Sequence, residues 1–185
     1  MRPQHTFALA ATALAAVVAG CGGSSTKDAP APAAKAVPSY PAQGISFKAP
    51  EGWSLDHGKA PLVATVQAGA STVAVWRYPR TERLPQTKAE LKAARDALVA
   101  AAMKADSTFE VIKAAPATIA GQPAVQIRAR ETIAGQPRTV RSTHIYSARS
   151  EIVIDAYSDA NTFHAVDAKF FRPLLKTLTV RQPTA

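Results

Sequence analysis

Cysteines and long apolar segments are scarce in this chain of 185 residues, a glycine-rich loop before a helix is lacking, and each of these features excludes a kind of structure or site. A single cysteine cannot form an intramolecular disulfide, so no disulfide framework supports the fold. The main apolar run, residues 7–18, is about twelve residues long, whereas a helix needs roughly 20 to cross a bilayer. No glycine-rich loop leads from a predicted strand into a helix, so the sequence indicates no nucleotide site.

The histidines are too scattered to indicate a metal centre. His57, His144 and His164 lack the spacing that zinc ligands have on a helix or a hairpin. Asp56 and His57 are adjacent, so their side chains point apart in an extended chain. We therefore predict no metal ion and no cofactor.

The start of the chain has the pattern of an export signal. Arg2 precedes the apolar run, and the small residues Ala19 and Gly20 follow it, as in a secretory signal peptide. Because Cys21 comes directly after them, the segment resembles a bacterial lipobox. That resemblance implies cleavage before Cys21 and a diacylglycerol on its sulfur, with an ordinary cleaved signal or an uncleaved anchor as alternatives. We predict a signal peptide over residues 1–20 and a protein anchored by lipid outside the cytoplasm, on the cell membrane or the outer membrane.

Composition divides the remaining chain into a tether, one domain and a tail. Residues 21–43 consist largely of Gly, Ser, Pro and Ala and predict a lipidated cysteine followed by a disordered tether. Residues 44–181 are sufficient for a single α+β domain, and residues 182–185 form a tail. Without Arg2 the chain carries 21 basic and 13 acidic residues, a formal charge of +8. An exported basic protein does not meet nucleic acid, so its counter-charges are anionic lipid, acidic wall polymers or an acidic partner, unless the charge serves only solubility.

Periodicity predicts an antiparallel sheet with helices. Thr87 and Glu90 have the spacing of a capping box before an amphipathic helix with its apolar face at Leu91, Ala94 and Leu98, widened by Met103. Alternation of apolar and polar residues predicts strands at residues 45–48, 62–66, 72–78, 109–119, 124–133, 138–147 and 151–157. The phrase Ile-Ala-Gly-Gln-Pro occurs at 119–123 and 133–137 and predicts two successive turns, with glycine supplying the unusual dihedral and proline ending a pairing edge. We expect a closing helix capped by Asp159.

Three features in this order resemble the PsbP-like superfamily. The domain opens with the apolar pattern Ile45-x-Phe47-x-x-Pro50-x-x-Trp53. A capped helix lies between the early and late strands. The domain ends with the apolar pattern Phe163…Phe171-x-x-Leu174-Leu175-x-x-Leu178. The resemblance implies an antiparallel sheet of about six to seven strands sandwiched between helices, as in LpqN-type bacterial lipoproteins. The resemblance also implies that the protein is a lipoprotein, and it identifies no catalytic residue in this sequence.

Two groups of polar residues are candidate sites. Ser142 and His144 share one face of a predicted strand, and a hairpin register could bring Asp155 to the imidazole, which is the composition of a hydrolase triad. The sequence has no Gly-x-Ser-x-Gly elbow, however, and a polar strip on a solvated sheet face is the alternative. The second group is a predicted basic patch on the sheet, which either binds an anionic partner or is an inert solvated face; its members are Arg128, Arg130, Arg138, Arg141 and Arg149.

These observations support three hypotheses of function. The first is a non-catalytic, lipid-anchored envelope protein that binds an envelope protein or an anionic envelope component through the basic patch. The second is a carrier that holds a lipid or another apolar ligand between the sheet and the closing helices, beside Phe163, Phe170 and Phe171; an enclosed apolar cavity would favour it. The third is a hydrolase that uses Ser142, His144 and Asp155.

Overall fold

The large sheet contains seven antiparallel strands, in agreement with the six to seven that the resemblance implies. The predicted strand at residues 45–48 is not among them, and residues 54–57 form a strand that the sequence analysis missed. The computed structural model describes residues 38–147 and 149–184, so the predicted signal peptide, Cys21 and most of the tether lie outside the described residues. The spatial order of the strands is β3-β4-β5-β9-β8-β7-β6. Their bounds are β3 Ser54–His57, β4 Leu62–Ala68, β5 Ser71–Pro79, β6 Glu110–Ile119, β7 Gln122–Ile133, β8 Gln136–Ser147 and β9 Ser150–Asp159.

A small sheet and two helical segments complete the α+β fold. The small sheet has the order β1-β2-β10, and its strands are β1 Ser39–Tyr40, β2 Ile45–Ser46 and β10 Thr179–Val180. Helix α1, Lys88–Ala105, packs on one face of the large sheet, which we call the back face. A continuous helical stretch packs on the opposite, front face, and we call it the C-terminal helix; it comprises α2 Phe163–Val166, a π-helical turn Asp167–Phe171 and α3 Arg172–Thr177.

Helix α1 begins at the predicted capping box. The Thr87 hydroxyl accepts a hydrogen bond from the Glu90 amide at 3.2 Å, and the Glu90 carboxylate accepts one from the Thr87 amide at 2.9 Å. The Gln86 amide also donates to the Glu90 carboxylate, at 2.9 Å, and the two hydrogen bonds from the Thr87 and Gln86 amides lower the pKa of Glu90 to about 2. Leu91 is buried against the sheet, but Met103 is 56% exposed, so the prediction that it widens the apolar face is wrong. At roughly 100° per residue, Met103 lies about 120° around the helix from Leu91, so its side chain points away from the sheet.

Both Ile-Ala-Gly-Gln-Pro phrases form two-residue hairpin turns. Ala120 and Gly121 have φ of 51° and 73°, and Ala134 and Gly135 repeat this with 50° and 74°. A turn with two positive φ values twists in the sense that joins antiparallel strands closely. The alanines adopt the same unusual dihedral as the glycines, which the sequence analysis missed. Each proline then pairs within its own hairpin, while pairing with the next strand begins one residue later.

The ordered domain begins before the predicted boundary at residue 44. Tyr40 is 7% exposed and stacks on Phe47 with ring centroids 5.9 Å apart, so the tether cannot extend to residue 43. The sequence around Tyr40 is rich in Pro and Ala, which concealed one buried aromatic anchor. At the other end, the Thr184 amide donates to the Pro41 carbonyl at 3.0 Å, so this part of the predicted tail also packs on the domain.

The closing helix is present but its predicted cap is wrong. The N-cap residue is Thr162, and its side chain makes no capping hydrogen bond. Asp159 cannot serve as the cap because it ends β9 and its carboxylate binds Arg138. Pro173 occupies the first turn of α3, where its missing N–H is not needed by the helix. None of the helices in the described part of the chain has the length and apolar character that crossing a bilayer requires.

Candidate functional site

Three cations lie side by side on the front face of the sheet. The strand register places Lys113 of β6 opposite Arg128 of β7, and Arg128 opposite Arg141 of β8. Side chains in such cross-strand positions have Cβ atoms roughly 5 Å apart, and like charges there destabilise a sheet. We call Lys113, Arg128 and Arg141 the basic row.

One member of the basic row is neutralised by the C-terminal helix. The Arg141 guanidinium binds the Asp167 carboxylate through two hydrogen bonds, Nε to Oδ1 at 2.6 Å and Nη2 to Oδ2 at 2.7 Å. Both side chains are nearly buried, with 15% and 7% exposed, so water screens this pair only weakly. Arg172 approaches the same carboxylate at 3.4 Å. Asp167 therefore balances the cation where the helix covers the sheet.

Arg128 has no acidic partner among the described residues. It lies half-buried between Lys113 and the already paired Arg141, and its Nε is buried without an acceptor in the described part of the chain. A buried donor left without a partner costs on the order of 1–3 kcal/mol. Arg130, on the same strand face, makes an exposed pair with Glu110 at 3.3 Å, which contributes little. The centre of the row therefore carries uncompensated positive charge.

The structure brings together only part of the predicted basic patch. Arg128, Arg130 and Arg141 share the front face, whereas Arg138 lies on the back face and binds Asp159. Arg149 is exposed in the turn between β8 and β9, beyond the opposite end of β8 from Arg138. Arg138 and Arg141 are three residues apart on one strand, and the alternation of side chains therefore separates them.

The sequence analysis missed further cations on the same side of the molecule. Lys113 belongs to the basic row, and exposed Lys169, Arg172 and Lys176 lie on the C-terminal helix. Asp167 is the only acidic residue of that helix, and it is buried beneath it. The signal was present in the sequence, because the segment after Asp159 contains several cations and a single acid at an inward-facing position.

Ser142 and His144 are within hydrogen-bonding distance, but Asp155 does not orient the histidine. Ser142 Oγ lies 3.1 Å from His144 Nε2, and His144 Nδ1 lies 2.7 Å from Glu151 Oε1. Glu151 also binds Arg80. Burial alone would raise the pKa of Glu151, but the hydrogen bond from His144 and the nearby charge of Arg80 outweigh it, and the pKa is lowered. Asp155 lies opposite Ser142 instead of beside the imidazole.

The geometry around Ser142 does not favour nucleophilic catalysis. Ser142 lies in the middle of β8, paired with Ile127 of β7 on one side and with Asp155 of β9 on the other. Backbone N–H groups in this part of the sheet serve the strand ladders, whereas an oxyanion hole needs donors that are free to face a substrate. Burial raises the pKa of Asp155, which is typical of a desolvated carboxyl group. A polar network joins β8, β9 and the residue that follows β5; its side chains are Arg80, Glu151, His144, Ser142 and Asp155.

The space under the C-terminal helix is filled by packed aromatic rings. Trp53 lies 5.1 Å from Phe170 and 6.1 Å from Phe171, and Phe163 lies 5.9 Å from Phe171, measured between centroids. Phe163 and Phe171 are 4% and 1% exposed. Two open depressions of about 480 and 470 Å³ lie beside residues 80–86, away from these rings. Tight packing at the predicted ligand position argues against the carrier hypothesis.

The scattered histidines form no metal centre in the part of the chain that the structure describes. No group of three or more His, Cys, Asp or Glu residues there is arranged to hold a metal ion. His57 packs its ring edge-on against Tyr40, with centroids 5.4 Å apart, which is a packing contact in the front core.

Comparison with known proteins identifies the fold. No protein-family model matches the chain, and no curated protein matches it by sequence. Among solved structures, it is similar to cyanobacterial PsbP (CyanoP) from Synechocystis sp. PCC 6803, with a TM-score of 0.57, 14% identity, and 75% of this chain and 88% of that chain covered. It is also similar to LpqN of Mycobacterium tuberculosis, described as involved in cell envelope biogenesis, with a TM-score of 0.54, 14% identity and coverage of 74% and 82%.

A third similar structure is a protein of unknown function from Pseudomonas aeruginosa, described as a putative regulator, with a TM-score of 0.51, 14% identity and coverage of 75% and 92%. Identities this low establish the fold and not the activity. The chain therefore has a PsbP-like fold, as the resemblance in its sequence implies.

Proposed function

We propose that this protein is a lipid-anchored, non-catalytic accessory module of the bacterial cell envelope, and that its basic row binds an anionic envelope component. The lipobox-like segment ending at Cys21 supports the anchor, because a positively charged start, a short apolar run and small residues precede the single cysteine. Two acyl chains on one sulfur are sufficient for stable residence at a bilayer. The description of LpqN as involved in cell envelope biogenesis is consistent with an envelope role for this chain.

The observation that carries the binding role is the position of Arg128 in the basic row. Its neighbours across the strands are Lys113 on one side and Arg141 on the other, so the sheet places three cations in adjacent positions. Asp167 neutralises Arg141, but no acid in the described residues neutralises Arg128. A bound anion would provide both the missing charge and an acceptor for the buried Nε.

The polar network on the back face supports a structural role in preference to catalysis. Glu151 is 5% exposed and is held by both His144 and Arg80, so its charge is satisfied within the protein. A catalytic carboxylate–histidine–serine arrangement also needs an open serine and an oxyanion hole. Ser142 lies between two paired strands instead.

The anchor is tested by mass spectrometry of the N-terminal peptide from the membrane fraction. We expect acylated Cys21 there, and we expect Cys21→Ser to leave the membrane fraction. Bare Cys21 on a protein recovered from the cytosol would refute the anchor.

The binding role is tested by sedimentation of the non-acylated Cys21→Ser chain with isolated envelopes. Introducing Arg128→Glu and Arg130→Glu should weaken binding at least about 25-fold, because each lost cation near an anionic surface costs roughly 1 kcal/mol and each new carboxylate adds repulsion. The matched control is Lys92→Glu with Arg95→Glu on helix α1, which has the same net charge and should retain binding. Equal retention by both variants would contradict a specific role of the basic row.

A further inference from the structure

Positive charge is distributed unevenly between the two sides of the sandwich. On the front side, the basic row lies beside the C-terminal helix, whose exposed charges are cationic: Lys169, Arg172 and Lys176. The exposed acids near this side lie at its margins; Glu110 pairs with Arg130, and Glu51 lies in the turn before Trp53. Helix α1 on the back side mixes both signs, with Lys88, Lys92, Arg95 and Lys104 against Glu90, Asp96 and Asp106.

The described chain also begins on the front side. Tyr40 packs in the front core, against Phe47 and against His57 of β3. Pro38, where the described residues begin, is hydrogen-bonded to the same layer, because its carbonyl accepts from the Phe47 amide at 3.2 Å. The segment that leads from Cys21 to the domain therefore joins it on the cationic side.

We infer that the front side is a docking surface for an anionic bilayer, which holds the domain with its C-terminal helix against the headgroups. This inference rests on the proposed lipid anchor, since the tether supplies proximity. The roughly 17 residues between Cys21 and Pro38 span at most about 60 Å, so the surface is never far from the membrane. Linkage through a short segment gives effective concentrations near the millimolar range, at which a handful of weak lysine–headgroup contacts is sufficient.

The chemistry of the surface fits lipid phosphates. Arg128 presents a guanidinium that lacks an acidic partner in the described residues, and a guanidinium can bind a phosphate through two parallel hydrogen bonds. Lys113, Lys169 and Lys176 are exposed and contribute as point charges around it. Each cation near an anionic leaflet contributes about a fivefold increase in partitioning, which corresponds to roughly 1 kcal/mol.

The single cysteine makes the inference directly testable by site-directed spin labelling. In the Cys21→Ser chain, Ala168→Cys introduces a unique label site on the exposed surface of the C-terminal helix, and Ala97→Cys introduces one on the exposed surface of α1. With vesicles that contain phosphatidylglycerol, the label at residue 168 should lose access to a water-soluble relaxation agent, whereas the label at residue 97 should keep it. Equal protection at both positions would overturn the proposed orientation.

Charge reversal on opposite sides provides the affinity test. The front variant combines Lys113→Glu, Lys169→Glu and Lys176→Glu, and the matched back variant combines Lys88→Glu, Lys92→Glu and Lys104→Glu. We expect the front variant to bind phosphatidylglycerol vesicles at least about 100-fold more weakly than the parent, since three cations are lost and three repelling carboxylates are added, and we expect the back variant to lose much less. Neutral vesicles should bind none of the three proteins, and circular dichroism confirms that the variants are folded.

An equal loss of vesicle binding in the front and back variants would show that only the net charge matters, and it would overturn the docking surface. Absence of vesicle binding by the parent chain would also overturn it. The proposed function would survive that second result if Arg128→Glu with Arg130→Glu still weakened binding to isolated envelopes, because the anionic component would then be something other than lipid. The two proposals therefore fail separately.

Discussion

Replacement of Asp167 by asparagine should affect stability and anion binding in opposite directions. Asp167→Asn removes the charge that compensates Arg141, while the two side chains remain 7% and 15% exposed. Breaking a buried ion pair by removing one partner costs about 3–5 kcal/mol, and we expect the lower end because the asparagine oxygen still accepts one hydrogen bond. The same change adds one unit of positive charge to the front side, and should tighten binding to anionic vesicles about fivefold.

Urea unfolding and vesicle sedimentation of the Cys21→Ser chain measure the two effects of Asp167→Asn. The matched control is Asp96→Asn, which removes an exposed partner of Arg95 on helix α1. Exposed pairs contribute less than about 1 kcal/mol, so the control should unfold almost as the parent does and bind vesicles with little change. A loss below 1 kcal/mol in Asp167→Asn would refute the assignment of this pair as a buried stabilising contact. Equal tightening by both variants would refute a charge effect specific to the front side.

Two further predictions concern stability alone. Gly44→Ala should destabilise the domain by about 2–4 kcal/mol in urea unfolding, because φ is +62° and the new methyl group would overlap the backbone of Arg181. The control Gly52→Ala, with φ of +78° and open space around it, should cost only about 1–2 kcal/mol. Equal losses of stability in the two variants would contradict the overlap. Burial raises the pKa of Glu131 to about 7 from 4.5, helped by the charges of Asp155 and Asp106. The folded state therefore binds this proton more tightly, so the stabilising contribution is complete below pH 4.5 and is lost as the pH rises through 7. Wild type should lose stability relative to Glu131→Gln between pH 5 and pH 8, and parallel profiles would contradict the shift.

The strands were predictable because local signals and tertiary pairing agree. The repeated phrase at 119–123 and 133–137 specifies two tight turns, and the alternation between them fixes which residues face each helix. The start of the domain was not predictable from composition. Tyr40 is a single buried ring in a segment of Pro, Ala and Ser, and composition averages over a window that one aromatic anchor does not change.

Only half of the polar network was predictable from the sequence. The strand register decides which residues lie opposite each other, and the length of each side chain then decides which of them make contact. The hairpin between β8 and β9 puts Asp155 opposite Ser142, whereas the expected hydrolase triad requires Asp155 at the imidazole of His144. His144 lies opposite Val153, however, and the longer Glu151 reaches it diagonally from the next position on the same face. Diagonal neighbours in a sheet are about 7–8 Å apart, which a glutamate spans and an alternation pattern does not reveal.

The buried acidic partner on the front face lies where the C-terminal helix covers the sheet. Where the C-terminal helix lies over β8, Arg141 receives a buried carboxylate from that helix. Where the front face is open, at β6 and β7, Lys113 and Arg128 are adjacent and neither has an acidic partner in the described residues. A fold selected only for stability would gain from one acidic substitution at position 113, since opposite charges across strands stabilise by up to about 1 kcal/mol and like charges destabilise. A cation at position 113 is expected if a partner outside the domain supplies the negative charge, and Lys113→Glu should then raise the free energy of unfolding while it weakens anion binding.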